Sequence, residues 1–107
     1  MMRKQKLDSI HHVAIVVDDI DRAIRWYQAH LNTAIVYADS SWAMLDFENI
    51  SLALVKDEQH PPHLAIEYEN ADQYGPLTSH RDGTESIYIK DSEGNSIELL
   101  RRTGNQT

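Results

Sequence analysis

His12 and His63 each open the same short phrase. His12-Val13-Ala14-Ile15 recurs as His63-Leu64-Ala65-Ile66, 51 positions later. Near the end of the chain, Ser96-Ile97-Glu98-Leu99-Leu100 sets one carboxylate among apolar neighbours. Two imidazoles and a carboxylate can bind one divalent cation and leave positions open for chemistry; Fe(II), Mn(II), Zn(II) and Ni(II) all suit such a set. A histidine alone on a strand is more often a hydrogen-bonded or exposed residue, and Glu98 alone could sit on a solvated strand face. The recurrence of the phrase is what brings the three together as a candidate site. There is no cysteine, which excludes disulfides, thiolate zinc sites and a cysteine nucleophile.

The elements that must position these residues follow from periodicity. Residues 10–17 are mostly apolar and β-branched, apart from the two histidines, and read as a strand. Along it His12, Ala14 and Val16 share one face, and strict alternation turns His11 the other way. Asp18-Asp19 supplies an N-cap, and Ile20, Ala23, Ile24, Tyr27 and Leu31 form the apolar face of a helix with Asn32 as its C-cap. Strands are expected at 34–38, 42–47 and 50–55. The prolines Pro61-Pro62 close a polar connection. The second half repeats this order in shorter form: strand 63–69, at most two helical turns in 70–77 ended by Gly75-Pro76, a short strand at 77–81, a strand at 85–90, a turn at 91–95 whose Gly94 takes positive φ, and a strand at 96–100. The polar tail from Arg101 is expected to fray.

The halves also align residue by residue. Residues 42–55 lie over 87–100 with four of fourteen positions identical: Asp46/Asp91, Glu48/Glu93, Ser51/Ser96 and Leu54/Leu99. Together with the repeated histidine phrase, this supports an internal duplication. It also sets Glu98 against Ala53, so the candidate site has three protein ligands and not four. The 107 residues suffice for one domain. The net charge of −7, from 10 basic and 17 acidic residues, argues against nucleic acid and anionic membranes as partners. No apolar run approaches the roughly 20 residues of a membrane helix. The basic start, residues 1–6, lacks an apolar signal core. A cytoplasmic location is the expectation.

Four stretches resemble the vicinal oxygen chelate superfamily, which includes glyoxalase I, extradiol dioxygenases, methylmalonyl-CoA epimerase and the bleomycin and fosfomycin resistance proteins. They are Ile10-His11-His12-Val13-Ala14-Ile15-Val16-Val17, Asp19-Ile20-Asp21-Arg22-Ala23-Ile24-Arg25-Trp26-Tyr27, Pro62-His63-Leu64-Ala65-Ile66 and Asp91-Ser92-Glu93-Gly94-Asn95-Ser96-Ile97-Glu98-Leu99. Each is loose alone; their order and spacing are specific. The resemblance implies an α+β fold of paired βαβββ modules, at about 8–56 and 63–101 of a single domain 1–107, forming a curled mixed sheet around a cavity. It implies that His12, His63 and Glu98 fall on metal-ligand positions, that a small molecule is the substrate or ligand, and that the chain pairs as a homodimer. Glyoxalase and epimerase members usually carry Glu or Gln where this chain has Ala53. Dioxygenase members place a catalytic Tyr at the spacing of Tyr88, ten residues before Glu98. His80 is a candidate second-sphere acid or base, with an exposed loop position as the alternative. The activities in view are metal-dependent lyase, isomerase and ring-cleaving dioxygenase; the other class is a non-catalytic small-molecule binder of the antibiotic-resistance type. Trp26 and Trp42 are read as packing residues, and His60 as part of the connection.

Overall fold

The computed structural model describes residues 6–80 and 82–103. The expected frayed end beyond Thr103, the last residue of the expected strand 77–81 and the first five residues of the basic start lie outside them. Strand β1 (Ser9–Val16) is followed by helix α1 (Ile20–His30), then by β2 (Ala34–Ala38), β3 (Trp42–Asp46) and β4 (Ser51–Val55). The second half runs β5 (His63–Glu67), a 3₁₀ turn (Ala71–Tyr74), β6 (Thr78–Ser79), β7 (Thr84–Lys90) and β8 (Ser96–Arg102). The eight strands form one mixed sheet in the order β2-β3-β4-β1-β5-β8-β7-β6. This is the expected α+β architecture, with the order symmetric about the β1–β5 junction.

That junction is antiparallel, with Ala14 opposite His63 and His12 opposite Ala65. On either side lies a parallel pair. β1 pairs with β4 so that His12 meets Ser51 and Ala14 meets Ala53. β5 pairs with β8 so that His63 meets Ser96 and Ala65 meets Glu98. The alignment of the halves in sequence is therefore their register in the sheet.

One core lies between α1 and the sheet. Ile20, Ala43, Leu45 and Leu54 are buried there, with Ile15, Ala23, Ile24 and Tyr27 packed against them. Asp19 caps α1 by accepting a hydrogen bond from the Arg22 amide. The helix ends earlier than Asn32 predicts: Leu31 is the C-cap, extended and 47% exposed. The second half replaces the helix by the 3₁₀ turn, and Gly75 ends it at φ +142° with Ile87 Cδ1 3.1 Å from where a Cβ would stand.

Two expectations are corrected. Arg101 does not begin a loose tail: it lies in β8, and its guanidinium bonds Glu85 at 2.8 Å and the Glu69 carbonyl at 2.9 Å. Trp26 does not pack inward. It is 52% exposed and stacks on His30. Trp42 does pack, against the Ala14–Ala53–Val55 cluster and the ring of Tyr37. Among the described residues no helix is long and apolar enough to cross a membrane.

Leu54 is fully buried in the strand beside β1. Leu54→Ala is expected to destabilise the protein by about 3 kcal/mol, through lost transfer energy and a residual cavity. A urea titration that shows a lower midpoint at unchanged slope is the expected result.

Candidate functional site

Strand parity and register bring three side chains from three strands to one place. His12 leaves β1, His63 leaves β5 and Glu98 leaves β8, all on the face opposite α1. They are 8%, 8% and 7% exposed. One ligand atom from each can be chosen so that all lie within 4.8 Å of one another, and no other such trio occurs among the described residues. Glu98 Oε1 is 3.2 Å from His63 Nε2 and 3.6 Å from His12 Nε2. Ligand atoms about 2.1 Å from a shared cation stand about 3.0–3.4 Å apart in octahedral or tetrahedral geometry. The two spacings from Glu98 Oε1 lie close to that range, and the whole trio falls within 4.8 Å, a set of donors able to close around a first-row divalent cation.

The hydrogen bonds set the chemistry of each atom. His63 Nδ1 lies 2.8 Å from the Pro61 carbonyl. A carbonyl only accepts, so Nδ1 carries a proton and Nε2 is left to face Glu98. The carboxylate at that distance favours a second proton on Nε2. Burial pulls the His63 pKa down, but the Glu98 carboxylate and the Pro61 carbonyl outweigh it and raise it above the ordinary value. His12 goes the other way. Burial dominates, the attraction of Glu98 only partly offsets it, and its pKa falls to about 4. Burial opposes ionisation of Glu98, yet hydrogen bonds from His63 and Ser86 bring its pKa down to about 2. The trio offers an imidazole that burial holds toward its neutral form, an imidazole whose protonation Glu98 favours, and an ionised carboxylate.

The other named residues surround the trio. Tyr88 lies opposite Glu98 on β7, and its ring meets His63 edge-on at 5.0 Å between centroids. Burial first and the Glu98 charge second raise its pKa, so its Oη keeps its proton. His60, expected as a simple connecting residue, reaches this group: its Nδ1 is 3.4 Å from Tyr88 Oη. His80 is not a free loop residue. Its Nε2 is 2.7 Å from Ser86 Oγ, and Ser86 Oγ donates to Glu98 Oε2 at 2.7 Å. The sequence marks Ser86 only by its position two residues before Tyr88, on the same face of β7. His11 also departs from its expected orientation. The β1–β5 register shifts between Ile10 and His12, and the His11 Nδ1 stands 2.8 Å from His12 Nδ1. The bulge breaks the alternation that turns His11 away.

Removing one partner of a buried ion pair strands the other charge. His63→Ala is expected to cost about 3 kcal/mol in metal-free protein. The double variant His63→Ala/Glu98→Leu should regain most of that loss. Equal losses in the single and double variants, measured by denaturant unfolding with a chelator present, would contradict the ion-pair account.

Residues 9–75 match the family model described as "Glyoxalase/Bleomycin resistance protein/Dioxygenase superfamily". No curated protein matches the chain. Among solved structures, a hypothetical protein from Bacillus halodurans C-125 is similar with a TM-score of 0.72 at 12% identity, over 95% of this chain and 99% of that one. A protein from Legionella pneumophila described as an NAD-dependent benzaldehyde dehydrogenase gives 0.67 at 16% identity, over 86% and 98%. A glyoxalase/bleomycin resistance protein/dioxygenase superfamily member from Vibrio splendidus 12B01 gives 0.65 at 8% identity, over 90% and 99%. At such identities the likeness is one of fold.

Proposed function

The chain belongs to the Glyoxalase/Bleomycin resistance protein/Dioxygenase superfamily, and from that premise we propose that it is a divalent-metal-dependent enzyme acting on a small substrate with two neighbouring oxygens. The observation that carries the reading is the buried trio His12, His63 and Glu98, with an ionised carboxylate between two imidazole Nε2 atoms. His12 and His63 would hold the cation through Nε2, and Glu98 through Oε1. A bound cation would supply Lewis-acid stabilisation of negative charge developing on the substrate. Fe, Mn, Ni and Zn all suit the donor set.

The chain's own residues do the remaining work. The Pro61 carbonyl fixes the His63 tautomer. Tyr88 holds a proton at Oη beside His63, where it can donate to a substrate oxygen as negative charge develops. His80 is read as a group of the second layer, coupled to Glu98 through Ser86. Lyase, isomerase and ring-cleaving dioxygenase chemistry are all compatible with such a site. The single domain is read as two βαβββ modules, 8–56 and 63–101, and the working unit as a homodimer. A band at twice the chain mass in sedimentation at micromolar concentration is the expected result.

A second reading, non-catalytic capture of a small molecule, is favoured by the apolar patch of Ala14, Ala53 and Val55 with Trp42 and Met44 beside the trio. Metal content separates the two. Purified protein offered Fe, Mn, Ni and Zn is expected to retain one equivalent of at least one of them by mass spectrometry. Glu98→Gln should bind that metal at least tenfold more weakly. Protein that ignores all four ions would sink the enzymatic reading. Tyr88→Phe is expected to keep wild-type metal affinity and to lose about 10²-fold in turnover, the cost of one donor aimed at developing charge.

A further inference from the structure

The geometry points to Ser86 as a positioning residue that makes Glu98 a one-oxygen ligand and so sets how many coordination positions stay open. The inference rests on the metal reading above and deepens it. A carboxylate can bind a cation through one oxygen or through both. Here its two oxygens have different surroundings. Oε1 faces His63 Nε2 at 3.2 Å and His12 Nε2 at 3.6 Å. Oε2 accepts the Ser86 hydroxyl at 2.7 Å.

Ser86 cannot easily turn away. A hydroxyl has one proton, and this one goes to the ionised Glu98 carboxylate, which can only accept. His80 Nε2, 2.7 Å from the same oxygen, must then be the donor that fills a lone pair of Oγ. Ser86 is 2% exposed, so water has little access to replace either bond. His80 is itself fixed at the start of the β6–β7 turn. Its amide donates to the Thr84 carbonyl at 2.8 Å, and Asp82 Oδ1 accepts from the Thr84 amide and hydroxyl at 3.0 and 2.7 Å. The order His80 to Ser86 to Glu98 is a chain of donors that ends on Oε2. An oxygen so held is turned from the place where Oε1 and the two imidazoles converge. With three single-atom ligands, an octahedral ion keeps about three positions for water or substrate; a carboxylate bound through both oxygens leaves about two.

Mn(II) alone is the probe, and water-proton relaxation per bound ion counts its exchangeable waters. Ser86→Ala frees Oε2, and its inner-sphere relaxivity is expected to fall by about a third. Ser86→Cys, close in size but a weak donor, should fall in the same direction. Ser86→Thr, which restores a hydroxyl, should match the wild type. Relaxivity in either the Ala or the Cys variant equal to wild type overturns the inference. So does a fall in Ser86→Thr as large as in Ser86→Ala, since packing and not the hydroxyl would then be responsible. Wild-type protein that binds no Mn(II), Fe, Ni or Zn is a different outcome: it removes the metal reading, and this inference with it.

Discussion

The register between β1 and β5 is the constraint on which the site depends. It pairs Ala14 with His63 and His12 with Ala65, so each imidazole faces a methyl group across the seam. The small partners leave the rings free to lean together, 5.5 Å apart between centroids and nearly perpendicular. A slip of one residue would send one histidine to the helix-facing side. The flanking parallel pairs carry the same constraint outward. Because Ala65 meets Glu98 on one side and His12 on the other, the carboxylate stands one strand from His63 and two from His12, on the same face. The trio is a consequence of strand pairing, not of any loop.

Placing a carboxylate there is costly unless its charge is met. Glu98 is 7% exposed and stays ionised because donors converge on it from different strands. His63 serves Oε1 from β5, and Ser86 serves Oε2 from β7. Those donors are fixed in turn by the Pro61 carbonyl and by His80. His11 stands against His12 at the bulge in β1. Each residue of the trio thus has an outer partner, and the outer partners come from the connection before β5, the β6–β7 turn and the bulge. Irregular segments orient the groups that regular strands deliver.

What could be read from the sequence divides along the same line. The strand phrase at His12 and His63, and the alignment of Ala53 with Glu98, were legible because strand periodicity and duplication are written in residue order. So were the capped helix after Asp19 and the turn at Gly94, where φ is +87°. The outer partners were not legible. Ser86 belongs to no motif, and its role appears only when β7 pairs with β8. His11 follows a bulge that period-two counting cannot foresee. Arg101 reads as a polar tail because its partners, Glu85 and the Glu69 carbonyl, are 16 and 32 residues away. Trp26 reads as a packing residue because a helix of one buried face has more apolar positions than that face can cover.

The asymmetry between Glu98 and Ala53 has an electrostatic meaning as well as a geometric one. The same register position holds a charge in one half and a methyl group in the other. A second carboxylate at position 53 would stand across the seam from the first, in a site where Glu98 already needs two close donors. Like charges in such a place raise one another's pKa and resist joint ionisation. With Ala53, the neighbouring surface becomes apolar instead, formed by Ala14, Val55, Trp42 and Met44. On the proposed reading, a divalent ion with a single carboxylate ligand keeps net positive charge, and that residual charge is available to an anionic oxygen of the substrate. A fourth, anionic ligand would neutralise it. On that same reading, a methyl group rather than a carboxylate at position 53 would couple an open coordination site to a cation still able to stabilise developing negative charge.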